Sequence, residues 1–140
     1  MELRNKMRAI LINSKERTVT EVDYDGNWKS IAPMLECRWF TVVGGLPDGD
    51  DLYCDDEGLL TASEDSTYFM MPWYPTPIVG NALILGVNGD GDSVASNNGA
   101  EFYQDKFRWM NAEAVWLWQQ LHDSSWPSSQ VWTLDSPESV

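Results

Sequence analysis

The chain contains few of the residues that carry metal and redox chemistry. It has one histidine and two cysteines among 140 residues, and Cys37, Cys54 and His122 follow no zinc-binding pattern. We therefore expect no bound metal and no cofactor. The two thiols are expected to be reduced and partly buried, with a single disulfide as the alternative.

The single histidine gives no support for catalysis. His122 lies near the end of a predicted helix, where a cationic imidazole suits the negative end of the helix dipole. A catalytic base needs an oriented partner and a nucleophile, and no residue pattern supplies them. The glycines are not followed by the Gly-Lys-Ser/Thr sequence of a phosphate loop. The sequence therefore predicts a protein that is not an enzyme.

A long apolar segment is also missing. No run of about eighteen apolar residues exists, so we expect no transmembrane helix and no membrane contact. The charged start, Met1 to Arg8, is not followed by the apolar region and cleavage site of a secretory signal. These two absences predict a cytoplasmic protein.

Basic residues are missing from the middle of the chain. Twelve carboxylates and no lysine or arginine lie between Trp39 and Asp105, and the net charge is −13. Direct binding to a phosphate backbone needs the opposite charge, which argues against a nucleic-acid-binding module. The acidity favours a partner with a basic surface, with solubility alone as the alternative.

The stretch from Pro77 to Asn88 is apolar, uncharged and bounded by turn-forming residues on both sides. A short apolar run without alternation is typical of a strand buried on both faces, and a buried helix is the alternative. Gly80 and Gly86 are expected to leave room for the close approach of another backbone or side chain. This stretch is predicted to form the centre of the core.

The remaining pattern predicts an α+β fold. We expect a small, mostly antiparallel sheet of about five strands, with a short N-terminal helix and a C-terminal helix packed on it. Residues 1–123 are predicted to be a single domain, and 124–140 an irregular tail with Trp126 and Trp132. The predicted elements are a hairpin of 8–13 and 18–24, a helix over 28–35 capped by Asn27, strands over 37–43 and 52–54, a mobile loop over 88–99 and a helix over 105–121.

Acidic side chains cluster in the predicted loops. Side-chain oxygens at alternate positions from Asn88 to Ser93 resemble the start of a calcium loop, but the required Gly and Glu are absent, so a turn is favoured. For the carboxylates between Asp48 and Glu57, solvated turns are likewise favoured over a cation site. The acidic residues predicted to meet a partner are Asp48, Asp50, Asp51, Asp55, Asp56, Glu57, Asp90 and Asp92.

Aromatic residues exceed what a core of this size needs. Trp28, Trp39 and Trp118 lie at apolar phases and are predicted to be buried. Trp73, Tyr74, Trp109 and Trp116 are predicted to be surface anchors for a partner. The alternative is an aromatic surface covered by the chain's own tail or by a second copy in a homo-oligomer.

Four segments together resemble a family of small proteins from phages, plasmids and their hosts, the domain of unknown function number 3846. They are Arg8-Ala-Ile-Leu-Ile-Asn13, Thr18-Val-Thr-Glu-Val22, Leu52-Tyr-Cys-Asp-Asp-Glu-Gly-Leu59, and Pro77-Ile-Val-Gly80 with Leu83-Ile-Leu-Gly86, within residues 7–95. The resemblance implies a mobile-element setting and no reaction.

These observations predict a non-enzymatic accessory protein of a phage or mobile element. It is expected to bind and block a host protein in the host cytoplasm, using its carboxylates against a basic surface. The alternative is a protein that sequesters a nucleotide-like small molecule. That protein would stack a base on an aromatic ring and hold phosphate with Arg38, Lys106 or Arg108.

Overall fold

The computed structural model of the protein describes residues 6–58 and 62–122. Nine strands and three short helices lie in this part of the chain. The strands are β1 (Met7–Asn13), β2 (Thr18–Tyr24), β3 (Phe40–Val43), β4 (Asp51–Asp55), β5 (Thr67–Met70), β6 (Ile78–Val79), β7 (Ala82–Val87), β8 (Ser93–Val94) and β9 (Arg108–Asn111). The helices are α1 (Ile31–Leu35), α2 (Ala100–Tyr103) and α3 (Ala112–Leu121).

Two antiparallel sheets contain all of these strands. The larger sheet has the order β2-β1-β7-β4-β3, and β8 pairs with the end of β7. The smaller sheet has the order β6-β5-β9. The predicted antiparallel α+β class is therefore confirmed, and the predicted single sheet is in fact two. No helix in the described ranges is long and apolar enough to cross a membrane.

The central apolar stretch contributes a strand to each sheet. β7 is the middle strand of the larger sheet, and Ala82 to Gly86 are buried, as a strand covered on both faces requires. The chain reaches β7 from β6 through Gly80, whose φ of 85° favours glycine. A Cβ at Gly80 would meet nothing within 4 Å. Gly80 is thus required for the turn, and the predicted close approach there is wrong.

The elements form four layers with three apolar clusters between them. α1 packs on one face of the larger sheet around Tyr24, Leu83 and Leu85. The other face meets the smaller sheet around residues such as Ile12, Ile84 and Phe69. α3 covers the outer face of the smaller sheet around Tyr68, Met110 and Val115. Both sheets are therefore buried on two sides.

The short N-terminal helix has the predicted position. A 3-10 turn at Trp28–Ser30 leads directly into α1. The Asn27 side chain accepts a hydrogen bond from the Lys29 N–H at 3.0 Å, which confirms the predicted cap. The helix ends at Glu36, which adopts the left-handed conformation, and the Cys37 N–H then donates to the Ala32 carbonyl at 3.0 Å.

The C-terminal helix is shorter than predicted. Residues 108–111 form β9, which pairs with β5, and α3 begins only at Ala112. The Asn111 side chain caps α3 by accepting from the Ala114 N–H at 2.8 Å. Asparagine caps a helix well and so ends the preceding strand. The buried face consists of Ala112, Val115 and Gln119, whereas Leu117 and Leu121 are exposed.

Replacing Gly86 by alanine should lower the free energy of unfolding by about 1–3 kcal/mol, a typical cost of overpacking a core. A Cβ at this position would lie 2.5 Å from the backbone oxygen of Ala95, which a side-chain rotation cannot relieve. Urea denaturation followed by circular dichroism measures the change. Gly89→Ala is the matched control, because a Cβ there meets nothing within 4 Å. Equal midpoints for the two variants would contradict the prediction.

Candidate functional site

A buried carboxylate joins the loops at one end of the larger sheet. Asp50 is 0% exposed, so it cannot contact a partner, and its predicted role in partner binding is corrected. Its oxygens accept hydrogen bonds from the Asn97 N–H at 2.7 Å, the Asn97 Nδ2 at 3.0 Å, the Asn98 N–H at 3.3 Å and the Tyr103 hydroxyl at 2.7 Å. A buried carboxylate needs such donors to offset its lost hydration.

Tyr103 is the donor to Asp50 that comes from a helix. Its ring is fully buried on α2. Burial, and then the hydrogen bond to Asp50, raise the pKa of the Tyr103 hydroxyl, so the proton stays on the phenol. The hydroxyl therefore donates and the carboxylate accepts.

The segment predicted as a mobile loop is held in place. Its first part closes a turn in which the Asn88 side chain accepts from the N–H groups of Asp90 and Asp92, both at 2.9 Å. Its last part receives the Arg8 guanidinium, which donates to the Ser96 carbonyl at 2.7 Å and the Asn97 carbonyl at 3.2 Å. The segment 88–99 is rich in glycine, asparagine, aspartate and serine, which explains why composition alone indicated a mobile loop.

The register brings several acidic loops to the same end of the larger sheet. Because the strands are antiparallel, Tyr24, Val43 and Val87 all lie at the end where β4 begins. The loops that leave this end carry Asp25, Asp48, Asp90 and Asp92, which are exposed. We call these four carboxylates the acidic end.

Asp51 also lies at this end, but it is half-buried. Burial, and then the neighbouring Asp50, raise the pKa of Asp51. Two cations lie nearby. Lys6 Nζ lies 3.7 Å from the Asp23 carboxylate, and the Arg8 guanidinium is directed at backbone carbonyls. The loops that follow Val43 and Val87 carry no lysine or arginine, whereas Lys29 follows Asp25 in the connection after β2.

The other predicted carboxylates lie at the opposite end. Asp55 is the last residue of β4, and Asp56 and Glu57 follow it. At the usual rise of a strand, Asp55 lies roughly 13 Å from Asp51. Arg38 Nη2 lies 3.6 Å from Glu57 Oε2. The structure therefore divides the predicted acidic surface into two groups at opposite ends of β4. Arg38 is the cation beside the group that contains Glu57.

The predicted aromatic anchors are mostly part of the core. Three of them, Trp73, Tyr74 and Trp109, are half-buried and pack against the cluster between the sheets. The Trp73 ring meets Tyr103 edge-on, with ring centroids 5.8 Å apart. Trp109 lies on β9 and the half-buried Trp116 on α3, although the predicted helix over 105–121 included both.

The three predicted ligand-binding cations do not form one site. Lys106 and Arg108 line a groove of about 620 Å³ together with Trp118, Leu121 and His122. Lys106 is paired with the Asp105 carboxylate at 2.8 Å. Arg38 instead lines a separate pocket.

Trp28 and Trp39 are the two most exposed tryptophans of the described ranges. Trp28 is 63% exposed and Trp39 is 57% exposed, although both were predicted to be buried. Their apolar phase misled the prediction, because the 3-10 turn rotates Trp28 away from the face of α1 and Trp39 precedes β3. The basic neighbours Lys29 and Arg38 were the available signal. Trp118, predicted as core with them, is half-buried against the cluster beneath α3.

The surroundings of both cysteines keep their thiols protonated. Both thiols are free, with Cys54 buried and Cys37 half-buried. Burial, followed by nearby carboxylates, raises the pKa of Cys37 to about 11 and that of Cys54 to about 12. Within residues 6–58 and 62–122, no group of three histidine, cysteine, aspartate or glutamate side chains is placed to hold a metal ion.

Comparison with known proteins gives one match. A family model described as Domain of unknown function (DUF3846) matches residues 7–108, from β1 into β9. Neither the curated proteins nor the solved structures include a match.

Replacing Asp50 by asparagine should lower the free energy of unfolding by about 2–4 kcal/mol, because charged hydrogen bonds are lost in a buried place. The amide keeps the shape but offers one acceptor oxygen where two now accept. Tyr103→Phe removes a single donor and should cost less, about 1–2 kcal/mol. Urea denaturation of both variants compares these values. A larger loss for Tyr103→Phe would show that the tyrosine hydroxyl, and not the charge of the carboxylate, contributes more of the stability.

Both native cysteines should react slowly with a thiol reagent at pH 8. With a pKa of about 11, only about a thousandth of Cys37 is thiolate at that pH. Its labelling rate should rise about tenfold per pH unit until about pH 11. Cys54→Ser isolates Cys37 for the measurement, and rapid labelling at pH 8 would contradict the expectation.

The raised thiol pKa values also set a pH dependence of stability. The folded state holds both thiol protons more tightly than the unfolded chain, whose thiols have the ordinary pKa of 9.0. The stabilisation is therefore complete below pH 9 and is lost as the pH rises toward 11–12. Urea midpoints between pH 8 and pH 11 should fall less in the variant with both cysteines replaced by serine.

Proposed function

The chain belongs to the family Domain of unknown function (DUF3846), and from that premise we propose that it is a non-enzymatic accessory protein that binds and blocks a partner with a basic surface. The partner would contact the acidic end, formed by Asp25, Asp48, Asp90 and Asp92. The setting we propose is the cytoplasm of a host cell that carries a phage or other mobile element, as the sequence resemblance implies.

One observation carries this proposal. Three separate loops place exposed carboxylates at the same end of the larger sheet, although the loops are far apart in sequence. A concentration of one sign of charge raises the rate at which an oppositely charged partner arrives, and it discourages partners of like charge. The acidic end thus favours a basic protein surface and disfavours nucleic acid.

The fixed positions of these loops add to the argument. The Asp48 carboxylate accepts a hydrogen bond from Asn98 Nδ2 at 3.0 Å, and the Asn97 Nδ2 donates to the Asp48 carbonyl at 2.8 Å. Asp90 and Asp92 stand on the turn closed by Asn88. Carboxylates held at fixed spacing lose less entropy on binding than mobile ones. Such an array is suited to imitate the phosphates of a nucleic acid.

The test uses a triple variant in which Asp48, Asp90 and Asp92 are replaced by asparagine. The immobilised wild-type protein should retain a basic host protein from lysate, and the triple variant should lose most of it. A carbodiimide reagent, which joins carboxylates directly to lysines, should place the cross-links at these three residues. Added duplex DNA should displace the partner if the acids imitate phosphates.

A control triple removes the same charge elsewhere. Asp56, Glu64 and Asp65 are exposed carboxylates of the loop that follows β4, and their amide variant should retain the partner. Equal losses for the two triples would show that net charge alone drives retention. Retention by the Asp48, Asp90 and Asp92 variant would reject the proposed surface.

A further inference from the structure

We propose that the pocket between Trp28 and Trp39 binds a small nucleotide, that is, a planar heterocycle that carries phosphate. Trp28, Lys29, Ala32, Arg38, Trp39 and Phe40 line this pocket, whose volume is about 320 Å³. Asp25 of the acidic end lies in the same turn as Trp28 and Lys29, but the inference does not depend on the proposed partner.

The exposure of the two tryptophans is the first argument. Trp28 and Trp39 are 63% and 57% exposed, whereas Trp73, Trp109 and Trp118 are half-buried against the clusters. An indole ring in water gives up the hydrophobic free energy that burial provides. Two such rings beside one pocket offer apolar faces that a heterocycle can cover.

The backbone under both rings is fixed before any ligand arrives. Trp28 begins the 3-10 turn that Asn27 caps, and the Ser30 hydroxyl donates to the Asp25 carboxylate at 2.7 Å. The Trp39 carbonyl accepts from the Asp56 N–H at 2.9 Å and from the Cys37 thiol at 3.4 Å. A preformed pocket loses little entropy on binding.

The cations beside the rings define the charge of the ligand. Lys29 Nζ lies 5.9 Å from the centre of the Trp28 ring, and Arg38 Cζ lies 5.9 Å from the centre of the Trp39 ring. A phosphate can displace the 3.6 Å contact between Arg38 and Glu57, because the side chain of Arg38 is 75% exposed and its guanidinium can bind two oxygens at once.

The volume of the pocket and the charge of the protein favour a single nucleotide over a nucleic-acid strand. A volume of about 320 Å³ lies at the lower end of the roughly 300–1,000 Å³ of small-molecule sites. A strand would need further cations along its backbone. With a net charge of −13, the protein repels a polyanion beyond the two cations of the pocket.

The experiment titrates the full chain, labelled with ¹⁵N, with adenosine monophosphate. The indole N–H signals of Trp28 and Trp39, assigned from the single Trp→Ala variants, should shift together and saturate, and the other indole signals should stay in place. Adenosine and inorganic phosphate should each bind more weakly than the monophosphate. A monophosphate titration that leaves both signals unmoved at millimolar concentration overturns the proposal.

Variants separate stacking from charge. Trp39→Ala should weaken binding of adenosine monophosphate about tenfold, the usual scale of a lost base–aromatic stack. Arg38→Gln should also weaken it severalfold, whereas Arg17→Gln, at an exposed arginine outside the pocket, should not. Circular dichroism verifies that each variant is folded.

Three outcomes would replace the proposed ligand. Equal binding of adenosine and the monophosphate would remove the role of Lys29 and Arg38. Equal binding of inorganic phosphate would remove the role of the rings. A ten-nucleotide adenine strand that binds more tightly per site than the monophosphate would make single-stranded nucleic acid the occupant.

Discussion

The fully buried carboxylate of Asp50 is the constraint on which the arrangement of the loops depends. An unpaired charge at that depth would cost several kcal/mol, so the fold must supply donors from elsewhere. They come from Asn97, Asn98 and Tyr103, 47–53 residues further along the chain. The interaction joins the β3–β4 loop, the segment after β8 and α2. The exposed Asp48 carboxylate on the β3–β4 loop therefore lies beside a carboxylate that solvent does not reach, and both contact the Asn97–Asn98 segment.

The local signals of the sequence were sufficient for much of the fold. The hairpin, the helix capped by Asn27 and the central strand β7 follow from alternation, side-chain capping and an uninterrupted apolar run. Each of these signals acts within a few residues. The second sheet was not predicted, because its strands are short and its pairing of β5 with β9 joins residues about forty positions apart. Pairing at that distance depends on burial against the other sheet, which no local pattern records.

For the candidate surfaces too, local sequence signals were sufficient for one part and long-range structure decided the rest. The acidic composition was visible in the sequence, but the register decided which carboxylates meet and which lie at the opposite end. Asp50 looks like its neighbours in sequence and differs from them only through burial. The opposite holds for Trp28 and Trp39: their apolar character predicted that they are buried, but both are exposed to solvent. A side chain's role at a surface is therefore set by the backbone that carries it, more than by its own chemistry.

The layered construction has a consequence for how such a chain can diversify. The family match ends at Arg108, inside β9, whereas the layer over Tyr68 and Met110 is α3. A relative that carried a different element after this point would need another cover for the same apolar face. The Asp50 cluster lies on the far side of the smaller sheet from α3, so that exchange would leave it intact. α3 covers one apolar face and takes no part in the Asp50 hydrogen bonds. The two sheets and the loops joined by Asp50 would therefore keep their contacts if α3 were exchanged.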